Sequence, residues 1–174
     1  MTSSREFQLI AAEAFRLWQA QRLPEAAARF EEALAGLPDS EPGRATLHGQ
    51  LGSVFAQLGR IEDSIHQSEH SLAAELAQGE SNASPSVKVA RYFLAERLVQ
   101  AGRRLQALEA INPSLLVLPD DWLLNVAKAQ VLHSIGKFAE AQAVAKHAIA
   151  NASSDEKRAE LQTFLAGILN TAAR

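Results

Sequence analysis

Apolar residues recur every three or four positions along the whole 174-residue chain, the spacing of helices rather than strands. Phe7, Ile10, Ala14 and Leu17 make the first stripe, and ahead of it Ser3 and Glu6 fit a capping box. Leu23-Pro24 restarts the chain, because proline suits the first turn of a helix. A second stripe follows in Ala26, Ala27, Phe30, Ala33 and Leu34, ending around Gly36-Leu37-Pro38. Beyond a turn-rich connector over 38–43, a third helix is predicted from about Arg44 to Leu58, stopped by Gly59 as a left-handed cap. A fourth runs from about Ile61 to Ala77, and a Gly/Ser/Asn-rich connector occupies 78–84. Ser84-Pro85 reads as the cap and first turn of a fifth helix that stops at Gly102. The sixth starts near Arg104 and meets Pro113, where a missing N–H and a clash with the preceding turn predict a break or kink. Asp120 or Asp121 caps a seventh that stops at Gly136, and an eighth ends near Asn151. Ser153-x-x-Glu156 reads as another capping box. The helix it opens sets Leu161, Phe164, Leu165, Ile168 and Leu169 on one stripe, with Lys157, Arg158, Glu160 and Gln162 off it.

The helix–turn–helix unit repeats. It is clearest from Leu51 through Gly59 to Ser64 and from Lys128 through Gly136 to Ala141, and it recurs around Gly102 and, without glycine, around Gln21. A repeat of this size builds a solenoid in which each unit buries its apolar face on the next. The last helix, with its polar face, then closes the core as a cap.

These residues resemble the tetratricopeptide repeat (TPR) family, whose unit is about 34 residues. The family's small residue in helix A matches Ala14, Gly52, Ala95 and Ala129, and its large residue three later matches Leu17, Phe55, Leu98 and Leu132. The residue between the helices matches Gln21, Gly59, Gly102 and Gly136, and the small residue of helix B matches Ala26, Ser64, Ala107 and Ala141. The later aromatic of helix B matches Phe30, whereas Ser68, Ile111 and Ala145 depart from it; the closing proline matches Pro38 and Pro119. Small residues let two backbones approach and large ones fill the remaining space. The resemblance implies an all-α, right-handed solenoid of four helix pairs plus a C-terminal capping helix. It forms a single domain with repeats over about 3–37, 43–77, 85–118 and 121–151 and the cap over about 154–172. Between the small residues of successive B helices the intervals are 38, 43 and 34 residues. The extra length falls in and beside the two connectors, which are expected to loosen the superhelix or divide it into a first pair and a second pair.

Composition narrows the function classes. Hydrophobic residues make up 47% of the chain, enough to fold, and the net charge of −3 argues against nucleic acid, whose binding rests on clustered cations. There is no cysteine, so thiolate metal sites and cysteine nucleophiles are excluded. The start, Met1-Thr2-Ser3-Ser4-Arg5-Glu6, lacks the pattern of a signal peptide, and no apolar run is long enough to span a membrane. A cytoplasmic protein is the expectation.

In TPR domains ligands lie in the concave groove lined by A helices, and carrying those positions over gives a candidate surface. It includes Phe15 and Trp18 in repeat one, Gln50 in repeat two, Tyr92, Phe93 and Glu96 in repeat three, and Gln130 and His133 in repeat four, beside Leu123, Val126 and Ala127. The surface holds almost no cations, so the Lys/Arg/Asn clamp that some TPR domains place on a C-terminal carboxylate is missing. Its four aromatics offer large apolar area at low entropic cost, as binding hot spots do. The competing expectation is that they pack against neighbouring helices.

His66-Gln67-Ser68-Glu69-His70 matches the H-x-x-E-H pattern of one metalloprotease class. The positions are those of helix B that face solvent, and no strong third ligand or water-excluding cleft accompanies them; Glu62, one turn earlier, could supply a weak third ligand, so a solvated face with at most adventitious metal binding is expected and no catalytic metal. Lys88, Arg91, Arg97, Arg103 and Arg104 make repeat three locally basic, either as a solvated face or as a patch that docks an acidic partner. With no phosphate loop or nucleophile motif, an enzyme is not expected, nor is a cofactor. The expected function is protein–protein interaction, as scaffold, adaptor or assembly chaperone, by burying an apolar or amphipathic segment of another protein or peptide in the groove. A second copy of the chain is also eligible as that partner. The alternative is a regulatory inhibitor or immunity-type protein that occludes a partner enzyme.

Overall fold

The computed structural model describes residues 4–171, and all regular elements among them are α-helices. The chain divides into two compact units, Met1–Glu80 and Ser81–Arg174. The first holds α1 (Ser4–Gln19), α2 (Leu23–Gly36), α3 (Arg44–Gln57) and α4 (Ile61–Ala77). The second holds α5 (Pro85–Gln100), α6 (Arg104–Val117), α7 (Trp122–Ser134), α8 (Phe138–Ala150), α9 (Asp155–Phe164) and α10 (Ala166–Leu169). Consecutive helices pack as antiparallel hairpins: α1 on α2 and α3 on α4 in the first unit, α5 on α6 and α7 on α8 in the second.

Each hairpin closes in the same way. The residue between its helices has positive φ: 59° at Gln21, 74° at Gly59, 75° at Gly102 and 81° at Gly136. The next residue's N–H then donates back to the large residue of the A helix: Arg22 to Leu17 at 2.9 Å, Arg60 to Phe55 at 2.9 Å, Arg103 to Leu98 at 2.8 Å and Lys137 to Leu132 at 3.0 Å. This left-handed closure satisfies carbonyls that the helix end would leave unpaired. The same basic residue starts the B helix. In three hairpins its side chain reaches the acid three residues on: Arg22 to Glu25, Arg60 to Asp63, Lys137 to Glu140.

In the first unit the core gathers around Phe30, Leu51, Val54 and Phe55, all at most 2% exposed. The α3–α4 contact is a meeting of small residues. Ser64 Oγ donates to the Gly52 carbonyl at 2.6 Å and Ser71 Oγ to the Ala45 carbonyl at 2.8 Å. A β-carbon on Gly52 would come within 3.3 Å of the Ser64 carbonyl oxygen, so glycine here sets the helix separation. The 38–43 connector is pinned by Arg44, whose guanidinium donates to the carbonyls of Leu34 (2.7 Å) and Leu37 (2.8 Å) and pairs with Asp39 at 3.3 Å.

Several expectations about helix ends need correction. The first expected capping box, Ser3 with Glu6, rests on Ser3, which lies outside the described residues. α6 runs unbroken across Pro113. Pro113 has no N–H for the Glu109 carbonyl one turn back, and next to that carbonyl the Arg91 guanidinium, from α5, donates to the Ala110 carbonyl at 2.6 Å. A residue 22 positions away in sequence thus supports the turn that local rules alone would break. At the C-terminal end the cap is Ser154, not Ser153: its Oγ accepts the Lys157 N–H at 3.1 Å. The expected single capping helix is two, interrupted at Leu165, and the stripe divides with it. Leu161, Leu165 and Ile168 are buried, whereas Phe164 is 57% exposed.

Candidate functional site

In the second unit, one residue fixes the start of α7. Asp121 accepts the Leu124 N–H through Oδ1 at 3.0 Å and Lys88 Nζ through Oδ2 at 2.6 Å, tying α7 to α5. Asn125, 4% exposed, donates to the carbonyls of Pro119 (2.8 Å) and Asp121 (2.9 Å) and secures the same turn. That anchoring sets Trp122 and Leu123 at the first turn of α7, opposite Tyr92 on α5. α9 then brings Lys157, Glu160, Leu161 and Phe164 to the third side.

The result is an open cleft of about 640 Å³ walled by Tyr92, Trp122, Leu123, Val126, Leu161 and Phe164, predominantly apolar. Lys157 and Glu160 pair with each other on its rim, and the Lys157 ammonium lies 5.6 Å from the Trp122 ring centroid. Beside it, α5 and α7 form a smaller cleft of about 210 Å³, lined by Glu96, Val99, Gln100 and Gln130 over Ala95 and Ala127. Burial, with the Glu96 carboxylate adding to it, pushes the Tyr92 hydroxyl above its ordinary pKa, so it stays a neutral hydrogen-bonding group. Tyr92 meets the Phe93 ring edge to face at 5.4 Å. Arg97 stacks 4.9 Å from the Phe93 centroid and binds Glu96 at 2.9 Å.

Five residues expected from the sequence as groove positions, Tyr92, Phe93, Glu96, Gln130 and His133, fall in this unit. Tyr92 joins the larger cleft, and Glu96 and Gln130 the smaller. Phe93 is 39% exposed beside them. His133 lies outside both clefts: its Nε2 is 3.0 Å from Thr171 Oγ1, and its ring rests against Phe138. Val126 and Ala127, each 2% exposed, line the larger and the smaller cleft respectively from their bases. Phe15, Trp18 and Gln50 belong to the first unit. Phe15 is 39% exposed and meets Trp18 edge to face at 5.9 Å, while Trp18 is half-buried against the Phe30–Phe55 core. Gln50 is half-buried on α3.

The basic face expected of repeat three does not form as such. Arg91 and Arg97 are 7% and 4% exposed and bound internally, and Lys88 is held by Asp121, which leaves only Arg103 and Arg104 of that set at the surface. Trp122 and Phe164 are the cleft residues that sequence reasoning missed. Trp122 stands one turn before Val126, itself a groove position by the family pattern, and that spacing is the signal that would have found it. Phe164 shares a helical stripe with Leu161 and Leu165, which on periodicity alone reads as core.

No protein-family model matches the chain, and no curated protein matches it in sequence. Solved structures do resemble it. Nearly identical TPR-like repeats from a Podosopora anserina protein assigned as a kinesin light chain align over 97% of this chain and 87% of theirs, with a TM-score of 0.74 at 18% identity. A thermophilic TPR protein from Thermus thermophilus aligns over 91% and 82%, with a TM-score of 0.60 at 20% identity. YrrB, a TPR protein with an unusual peptide-binding site, aligns over 91% and 84%, with a TM-score of 0.59 at 20% identity. The fold is that of the TPR-like helical repeats. Among the described residues no helix is long and apolar enough to cross a membrane.

Proposed function

We propose that this chain is a protein–protein interaction module that seats an apolar or amphipathic segment of a partner protein on the α5/α7/α9 face. The observation that carries this reading is the cleft walled by Tyr92, Trp122 and Phe164, which leaves three aromatic rings around open space. Aromatics lose little entropy on binding and dominate contact energies where water is excluded. The apolar walls call for an aliphatic or aromatic anchor on the partner. The neighbouring Glu96 and Gln130 offer one carboxylate and one amide to the segment's backbone or polar side chains. Lys157 and Glu160 already neutralise each other at the rim, so the surface favours neither an acidic nor a basic segment. Scaffold, adaptor and assembly-chaperone roles all use such a surface.

Selection of displayed random peptides on the purified chain tests the reading. Winning peptides are expected to share an apolar anchor and to lose affinity for the Tyr92→Ala and Phe164→Ala variants. Peptides that bind these variants as tightly as the parent, with helix content and melting unchanged, would move the binding surface away from this cleft.

A further inference from the structure

On α4, two imidazole nitrogens face each other. His66 and His70 are exposed and one turn apart, with their Nε2 atoms 3.1 Å apart and their rings nearly perpendicular at 86°. Two nitrogens each about 2.0–2.1 Å from one ion, at right or tetrahedral angles, are about 2.9–3.4 Å apart. The observed separation lies inside that window. Behind His70 sits His48 of α3, its ring stacked at 5.2 Å and inclined by 24°. His48 is 9% exposed, and its Nδ1 donates to Gln67 Oε1 at 2.7 Å. A buried, hydrogen-bonded imidazole therefore backs one of the two exposed rings and fixes how it points.

We propose that His66 and His70 form a two-nitrogen chelate for a borderline divalent transition ion, with His48 as its positioning residue. Each ligand ring carries its proton on Nδ1 and offers the Nε2 lone pair. Nitrogen donors select Cu²⁺, Ni²⁺ and Zn²⁺, in falling order of affinity from Cu²⁺, over Mg²⁺ and Ca²⁺, which take oxygen. Among the described residues no set of three His, Asp or Glu is placed to hold an ion, so water completes the coordination sphere. Glu62 and Glu69 lie on the same helix and favour a cation, while Arg44 of α3, whose charge is felt at His48, opposes it from the other side. Such a site clamps one turn of α4. Its open, solvated setting separates it from the hydrolytic chemistry that the H-x-x-E-H spacing suggests.

The test is calorimetric titration of untagged chain with NiCl₂ or ZnCl₂ in a non-chelating buffer. One ion per chain is expected, released by EDTA. Both ligand side chains are exposed, so His66→Ala and His70→Ala are expected to keep the helix content and to abolish binding, whereas His147→Ala leaves it intact. His48→Ala is expected to weaken binding by roughly tenfold, the lower end of what partners of metal-bound histidines contribute. His48→Phe, which keeps a stacked ring, is expected to restore it. Equal binding by the His66→Ala/His70→Ala double variant would overturn the site. Undiminished binding by folded His48→Ala would overturn the positioning role.

Discussion

Asp121 holds Lys88 with one carboxylate oxygen, at 2.6 Å, and caps α7 with the other. The two side chains are 10% and 22% exposed, so the pair is only partly screened by water. Removing the carboxylate leaves an ammonium without its partner and a helix end without its cap. Asp121→Ala is expected to cost about 2–4 kcal/mol in urea unfolding, combining a lost cap with a stranded charge. Asp121→Asn, which still caps, is expected to cost less. If the two variants prove equally stable, the cap accounts for none of the effect.

Gln21 is the one described residue other than glycine with positive φ, at 59°. A side chain in the left-handed region costs about 1 kcal/mol that glycine does not. Gln21→Gly is therefore expected to stabilise the chain by about that amount or somewhat less, since glycine also gives the unfolded chain more freedom. The reciprocal change, Gly59→Ala, is expected to destabilise by a similar amount. A Gln21→Gly variant that melts earlier than the parent would show that the side chain makes contacts worth more than the strain.

His48 supplies a pH dependence. Burial lowers its pKa most; the Gln67 hydrogen bond opposes this, while the charges of His70, Arg44 and His66 reinforce it. The folded pKa lies below the usual value near 6.5, so folding favours the neutral ring. The stability is fully present above that usual value and falls as pH drops from it towards the folded pKa. Denaturation midpoints measured from pH 7.5 down to about 5.5 are expected to decline, and to decline less in His48→Phe. Parallel profiles for the two chains would assign the acid sensitivity elsewhere.

Phe164 and Tyr92 separate binding from folding. Phe164 is 57% exposed, so Phe164→Ala is expected to leave the melting temperature nearly unchanged. Once a peptide ligand is in hand, each truncation is expected to weaken it by about 1–3 kcal/mol, as hot-spot losses do. Raising salt is expected to weaken binding only modestly, because the driving contact is apolar. A steep salt dependence would point instead to charged groups outside the cleft.

The hairpins were legible because their signals are local. Gly59, Gly102 and Gly136 each stop a helix by themselves, and α4 runs from Ile61 to Ala77, as its stripe and caps predict. What stayed hidden depends on partners distant in sequence. The turn that contains Pro113 is tied down by Arg91, which reaches the Ala110 carbonyl from another helix. The Tyr92–Trp122–Phe164 cleft joins three helices, and no periodicity within one helix encodes it. The His48–His70 stack lies between these cases. Once Gly52 and Ser64 are matched as the small residues of one hairpin, the antiparallel register brings residue 48 opposite 67–70, so the sequence carried the contact although the motif alone did not.

The repeated left-handed turns also bear on how the chain folds. Each closes through a bond spanning five residues, and the helices that pack together most extensively are neighbours in the chain. Little loop entropy must be lost before apolar contacts form, which places the chain in the low contact-order class whose members fold in microseconds to milliseconds. Hairpins closed so locally can form independently of one another. The turn at Gln21 closes through the same bond as the glycine turns, so the strain of its side chain is carried by α1–α2 alone.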